Sequence, residues 1–141
     1  MNRPKRVLFV CIGNACRSQM AEAFARAYGT DVLVAASAGL APAARIPIQT
    51  LHAMQDKNFD MAGQLPKNLS DFNGSDFDLI VNMSGFPLPE DARKLRVWDV
   101  PDPIGMEYQQ HCKVRDQIEN LVMNLILELR RKEKRARPRR S

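Results

Sequence analysis

Val7-Leu8-Phe9-Val10 places four apolar residues in a row, and the chain breaks soon afterwards at Gly13-Asn14. A run without polar alternation offers no face to water, so it predicts a strand covered on both sides. Helical spacing follows: Met20, Ala21, Phe24, Ala25 and Tyr28 recur at intervals of three and four within residues 17–28. Gly29 stands where such a helix would end. The alternation then repeats. Strands are predicted over 32–36, 78–83 and 95–98, and helices over 48–58 and 107–132. The last helix carries Tyr108, Cys112, Ile118, Leu121, Val122, Leu125 and Leu129 on one face. Residues 63–73 read as loop or short helix, and 90–94 as a turn of helix. Strands alternating with helices imply βαβ units, hence a parallel sheet with ligands at the carboxyl ends of its strands. The expected fold is α/β: one three-layer α/β/α domain around a four-stranded parallel sheet.

The 141 residues leave room for one domain. Of the 21 Lys and Arg, eight lie in residues 130–141 beside a single acid. The net charge of +5 therefore belongs to the tail, and the other 129 residues carry −2. That argues against a domain built around a nucleic-acid surface. The domain is expected to occupy 1–132, with 133–141 a basic, disordered tail suited to an acidic partner. No apolar run approaches the ~20 residues of a membrane span. The short apolar stretch after the charged start does not read as a secretory leader. Three cysteines are too few for a disulfide scaffold, and a cytoplasmic setting is expected. His52 and His111 lack partners at metal-ligand spacing, so no metal is expected; no organic cofactor is expected either. Trp98 is expected to pack rather than to hold a ligand.

The chemistry concentrates in Cys11-Ile12-Gly13-Asn14-Ala15-Cys16-Arg17-Ser18, between the first strand and the first helix. Gly13 and Asn14 tolerate positive φ, so the backbone can curl and turn its N–H groups inward as an anion nest. The helix start adds free N–H groups and a partial positive charge. Arg17 offers a planar fork to two oxygens of a tetrahedral oxyanion. A cysteine beside these groups favours the thiolate, the nucleophilic form, and Ser18 could donate to that sulfur. Cys11 in this place is also compatible with a small core residue.

The block from Val7 to Glu22 closely resembles the opening of the low-molecular-weight protein tyrosine phosphatase superfamily, which includes the thioredoxin-coupled arsenate reductases. The resemblance recurs at Ser37-Ala38-Gly39, at Phe77–Val81 and at Asp102-Pro103. It implies a phosphotyrosine protein phosphatase I-like fold of flavodoxin-like topology. It also implies residue roles. Cys11 attacks phosphorus and forms a cysteinyl-phosphate. Arg17, with the loop Ile12, Gly13, Asn14, Ala15, Cys16 and Ser18, binds the phosphate oxygens. Asp102 protonates the leaving oxygen and later activates water. Asn14 holds the loop backbone, Ser18 supports the sulfur, and Ser37 braces the loop from the second strand. Cys16 either forms a reversible disulfide with Cys11 or packs beneath the loop.

Two departures pull toward arsenate chemistry. Gln19 follows Cys-Arg-Ser where phosphatases often carry proline, and Gln64 stands nearest to a histidine common in phosphatases. A third pulls away: Ser84 occupies the place of a relay cysteine, and no cysteine lies between Cys16 and Cys112. Ile104 follows Asp102-Pro103 where many members carry tyrosine. The expected activity is a cysteine-dependent phosphomonoesterase acting on protein phosphotyrosine or small aryl phosphates. The alternatives are an arsenate reductase using a small thiol, and an oxyanion-binding or phospho-carrier protein. Inorganic phosphate or another oxyanion is the expected ligand in every case.

Overall fold

A computed structural model describes residues 3–136. In chain order it contains β1 (Lys5–Cys11), α1 (Arg17–Tyr28), β2 (Leu33–Gly39), α2 (Ile48–Gln55), two 3-10 turns (Leu69–Asp71 and Gly74–Asp76), β3 (Leu79–Asn82), β4 (Leu95–Val97) and α3 (Tyr108–Ala136). The sheet order is β2-β1-β3-β4, with every pairing parallel. This is the expected α/β architecture. β1, apolar on both faces, lies between β2 and β3, and the crossover between β2 and β3 passes it by. The chain's order reverses there, so the loop leaving β1 opens into the crevice where doubly wound sheets bind ligands.

Alternation along β1 divides the core. Val7 and Phe9 face a cluster that includes Met20 and Phe24 of α1, Met54 of α2, and Ile118, Val122 and Ile126 of α3. Leu8 and Val10 face the other way, onto Ala38, Phe77 and Ile80 with Leu69, Phe72 and Leu88 around them. The layer on that side is made of the two 3-10 turns and the chain around them. Asn68 and Asn73 accept from the amides of Ser70 and Ser75, which fixes both turns. Each fully buried phenylalanine contributes about 2–3 kcal/mol.

Several boundaries differ from the sequence reading. β2 runs on to Gly39, because its register with β1 continues to the Cys11–Gly39 pair. β4 stops at Val97, and Trp98 lies beyond it, packed against Phe9 with ring centroids 5.9 Å apart. Residues 90–94 form turns and no helix. On α3 the inward residue of the first turn is His111, whereas Cys112 is half-buried beside it. His111, Val114 and Ile118 keep the three- and four-residue spacing that Cys112 breaks. α3 also continues past Lys132 to Ala136. Leu129 is buried, the Arg130 guanidinium donates to Asp31 at 2.8 Å and to the Tyr28 carbonyl at 2.9 Å, and Lys132 pairs with Glu128 at 3.1 Å. Residues 137–141, the rest of the expected tail, lie outside the described residues.

Candidate active site

The loop after β1 has its carbonyls tied to one side. The amides of Leu40, Ala41 and Ala43 donate to the carbonyls of Cys11, Ile12 and Gly13 at 3.1, 2.8 and 2.9 Å. Among the described residues, no amide from Ile12 to Arg17 donates to another backbone carbonyl. Cys16, the N-cap of α1, makes no side-chain cap, so the first-turn amides stay open as well. The result is a concave run of N–H groups at a helix start, able to hold a dianion.

Two residues force this curl. Asn14 has φ 47°, a left-handed conformation that few side chains accept. Gly39 passes directly behind the loop: a Cβ there would lie 2.6 Å from the Ile12 carbonyl oxygen and 2.7 Å from the Asn14 nitrogen. Only glycine allows so close an approach.

Side chains lock the loop from within. Gln64 donates to the Gln19 Oε1 at 2.6 Å, and Gln19 donates to the Asn14 Oδ1 at 2.9 Å. Asn14 donates to the Ser18 Oγ at 2.7 Å. With its oxygen occupied as an acceptor, the Ser18 hydroxyl is free to donate to the Cys11 sulfur 2.9 Å away. These donors all point toward the sulfur. The Lys67 amide adds a second bond to Asn14 Oδ1 at 2.8 Å.

Arg17 is 5% exposed and pinned on one edge. Its Nη1 donates to the carbonyls of Met83, after β3, and Val100, after β4, the latter at 3.1 Å. Nη2 lies 3.4 Å from Asp102 Oδ2, and Nε is buried without a partner. A buried guanidinium N–H with no acceptor is costly. An oxyanion in the nest is the group that would satisfy it.

Asp102 sits on a loop stiffened by Pro101 and Pro103. Its carboxylate is 38% exposed and accepts from the Ile104 amide at 3.1 Å. Ile104 and Met106 are exposed apolar residues on the same loop, with Leu40 exposed on the segment behind the nest.

The structure thus brings Cys11, the loop through Ser18, and Asp102 into one place. Ser37 does not reach the loop. Its hydroxyl donates to Glu22 of α1, beside Lys67, whose ammonium is 3.5 Å from Ser37 Oγ and 3.7 Å from Glu22. Ser37 therefore acts on the loop only at one remove, through the residue whose amide holds Asn14. Cys16 is buried and accepts from Thr50 Oγ1 at 3.2 Å; Thr50 in turn meets His111 Nδ1 at 2.9 Å. Burial raises the Cys16 thiol to about 11, with the Asp102 and Cys11 charges adding to the rise and Thr50 and Arg17 opposing it. Burial also lowers the titration of His111 below its ordinary range. The sequence reading missed Thr50, Lys67 and His111. Thr50 and His111 lie 34 and 61 residues from their partners, and no local spacing signals such pairs.

The family description "Low molecular weight phosphotyrosine protein phosphatase" matches residues 6–135. The chain belongs to this family. It is 32% identical over 130 residues to the glutaredoxin arsenate reductase of Synechocystis, covering 89% of this chain and 98% of that protein. Among solved structures, an arsenate reductase in a phosphate-binding state superposes with a TM-score of 0.80 at 31% identity, covering 89% of this chain and 98% of that one. A low molecular weight protein tyrosine phosphatase from T. tengcongensis gives a TM-score of 0.74 at 29% identity, covering 88% and 99%. The family is one of enzymes, and both named activities fall within it. No helix among the described residues is long and apolar enough to cross a membrane.

Proposed function

We propose that this protein is a cysteine-dependent phosphomonoesterase acting on protein phosphotyrosine or similar aryl phosphates. The observation that carries the reading is the pairing of Arg17 with Asp102 above the nest. It sets a carboxyl group with solvent access beside the group that orients the phosphoryl oxygens. The Cys11 thiolate attacks phosphorus in line with the leaving oxygen, and Asp102 gives that oxygen its proton. The charge spread over the equatorial oxygens is held by loop amides and by Arg17 Nε. In the second step the Asp102 carboxylate takes a proton from water, which displaces the Cys11 sulfur and releases phosphate. Ser18 supports the departing thiolate. The parts of this cycle are the Cys11, Arg17, Ser18 and Asp102 side chains, the loop amides and one water.

Cysteine placement supports hydrolysis over a protein-borne electron relay. Ser84 is buried after β3, bonded to Asn82, and Cys112 lies on α3 with its sulfur 3.7 Å from Arg115. A second reading, arsenate reduction with a small thiol as reductant, is favoured by the Gln64–Gln19–Asn14 chain and by the relatives' names. In that reading Cys11 attacks arsenic, and an external thiol takes the place of a second protein cysteine. Assays with p-nitrophenyl phosphate, and with arsenate plus glutathione, separate the readings. Phosphatase turnover lost in Cys11→Ser supports the first. Arsenite release without phosphatase turnover replaces it with the second. Phosphate binding with neither activity would leave an oxyanion-binding protein.

A further inference from the structure

His111 and Thr50 are polar residues buried where helical spacing calls for apolar ones. They are 1% and 0% exposed, and His111 Nδ1 lies 2.9 Å from Thr50 Oγ1. The pair joins the first turn of α3 to α2. An apolar pair would fill that space without giving up hydration, so packing by itself does not call for these groups. A directional bond adds registration: it holds that turn of α3 at one height against α2, in whichever direction its proton points. On its other side Thr50 meets the Cys16 sulfur at 3.2 Å, so the pair is seated against the start of α1 and the nest. What hangs from this turn of α3 is the Asp102 loop. The His111 amide donates to the Glu107 carbonyl at 3.4 Å, the Met106 amide to the Pro103 carbonyl at 2.9 Å, and the Ile104 amide to Asp102 Oδ1 at 3.1 Å. These short-range bonds carry the position of His111 toward the carboxylate. The imidazole also reaches the Met106 backbone and lies within the field of the Asp102 charge. At the other end of the loop, Gln117 of α3 donates to the Asp99 carbonyl at 3.1 Å. The loop is tethered to α3 at both ends, while Asp102 and Ile104 between them are exposed.

We propose that His111, seated on Thr50, is a positioning residue that sets the height of the Asp102 loop over the nest. It touches neither phosphate nor leaving group, and acts through the turn from Pro103 to Met106. The proposal rests on the reading of Asp102 as the acid of a phosphomonoesterase. A kinetic signature follows from that role. Proton donation matters most for a leaving oxygen that is a poor anion, and least for one that departs unaided. An acid displaced by about 1 Å therefore slows esters of basic phenols and spares those of acidic phenols. Damage to the nest slows both alike, since both present the same phosphoryl group to it.

The test compares the full-chain parent with His111→Leu, His111→Gln and Thr50→Val on phenyl phosphate and on dinitrophenyl phosphate. The quantity read is kcat/KM, which covers the path up to the first P–O cleavage and so reports the proton given to the leaving oxygen. His111→Leu is expected to lose about tenfold on phenyl phosphate and less than about twofold on the dinitrophenyl ester. Thr50→Val keeps the shape and removes the partner, and should show the same imbalance at smaller size. His111→Gln keeps a polar group facing Thr50 and should recover most of the loss. Hydrogen exchange is followed in the same proteins: residues 99–107 should exchange faster in His111→Leu, while residues 11–18 keep the parent rate. Should His111→Leu fail to fold, Thr50→Val carries both comparisons. Equal losses on the two esters, no loss on either, or parent-like exchange in residues 99–107 overturn the proposal. So does a His111→Gln protein no better than His111→Leu. If the parent hydrolyses neither ester, the hydrolase reading falls, and the exchange rates alone decide whether the tether stands.

Discussion

The two loops that meet at the site are built on opposite plans. The loop from Cys11 to Ser18 is contiguous, largely buried, and held by three backbone bonds from residues 40–43 and a line of side-chain amides. The loop carrying Asp102 is exposed apart from Pro103, and among the described residues its carboxylate is held by the Ile104 amide and by Arg17 at 3.4 Å. A cradle for a transition state works best when its dipoles are already aligned, because no reorganisation is then needed during reaction. In the proposed hydrolysis, an acid that must meet different leaving groups, and then water, works best with solvent access and room to shift. Arg17 joins the plans: it belongs to the cradle by sequence, yet is fastened by carbonyls from the loops after β3 and β4.

The largest expected effect falls on the cradle. Cys11→Ser should remove p-nitrophenyl phosphatase turnover to background while leaving phosphate binding measurable by calorimetry, because a hydroxyl at this place is not ionised. Asp102→Asn should reduce kcat by about 10²-fold or more, with phosphate affinity little changed. If the acid loop also shaped the cradle, phosphate affinity would fall with kcat, and the comparison would fail. The Gly39→Ala variant sharpens the contrast from behind. Its Cβ would strike backbone at 2.6 Å, and that backbone cannot yield cheaply. A loss of about 2–3 kcal/mol in denaturant unfolding is expected, together with weaker phosphate binding.

The smallest effect concerns the strand that leads into the acid loop. Glu128 of α3 is held down at about 2, from an ordinary 4.5, chiefly by Arg96 of β4 and also by Lys132. A depressed carboxylate gives stability that is present above its unfolded value and is lost as pH falls toward the folded one. The pair is partly open to solvent, so Glu128→Gln should cost only about 1 kcal/mol at neutral pH. The gap from the parent protein should close between pH 4.5 and about 2, as read by urea unfolding. A constant gap across that range would show that Arg96 and Glu128 act through packing instead.

The sequence by itself determined the β1 strand, the nest and its cysteine and arginine. Apolar runs, breakers and spacing are local properties, and residues 11–18 are one continuous segment whose chemistry needs no distant partner to be recognised. It also signalled Asp102, but only through resemblance, since an Asp-Pro turn has no local mark of acid catalysis. Tertiary structure alone decided which groups stand behind the loop. It sent Ser37 to Glu22 and away from the loop, turned His111 inward in place of Cys112, and set Thr50 against Cys16. It also left the Arg17 Nε buried and unpaired. Those outcomes depend on how helices far apart in the chain pack onto one face of the sheet. Hydrogen-bond partners in such a core are chosen by burial and proximity, and neither is written in the order of the residues.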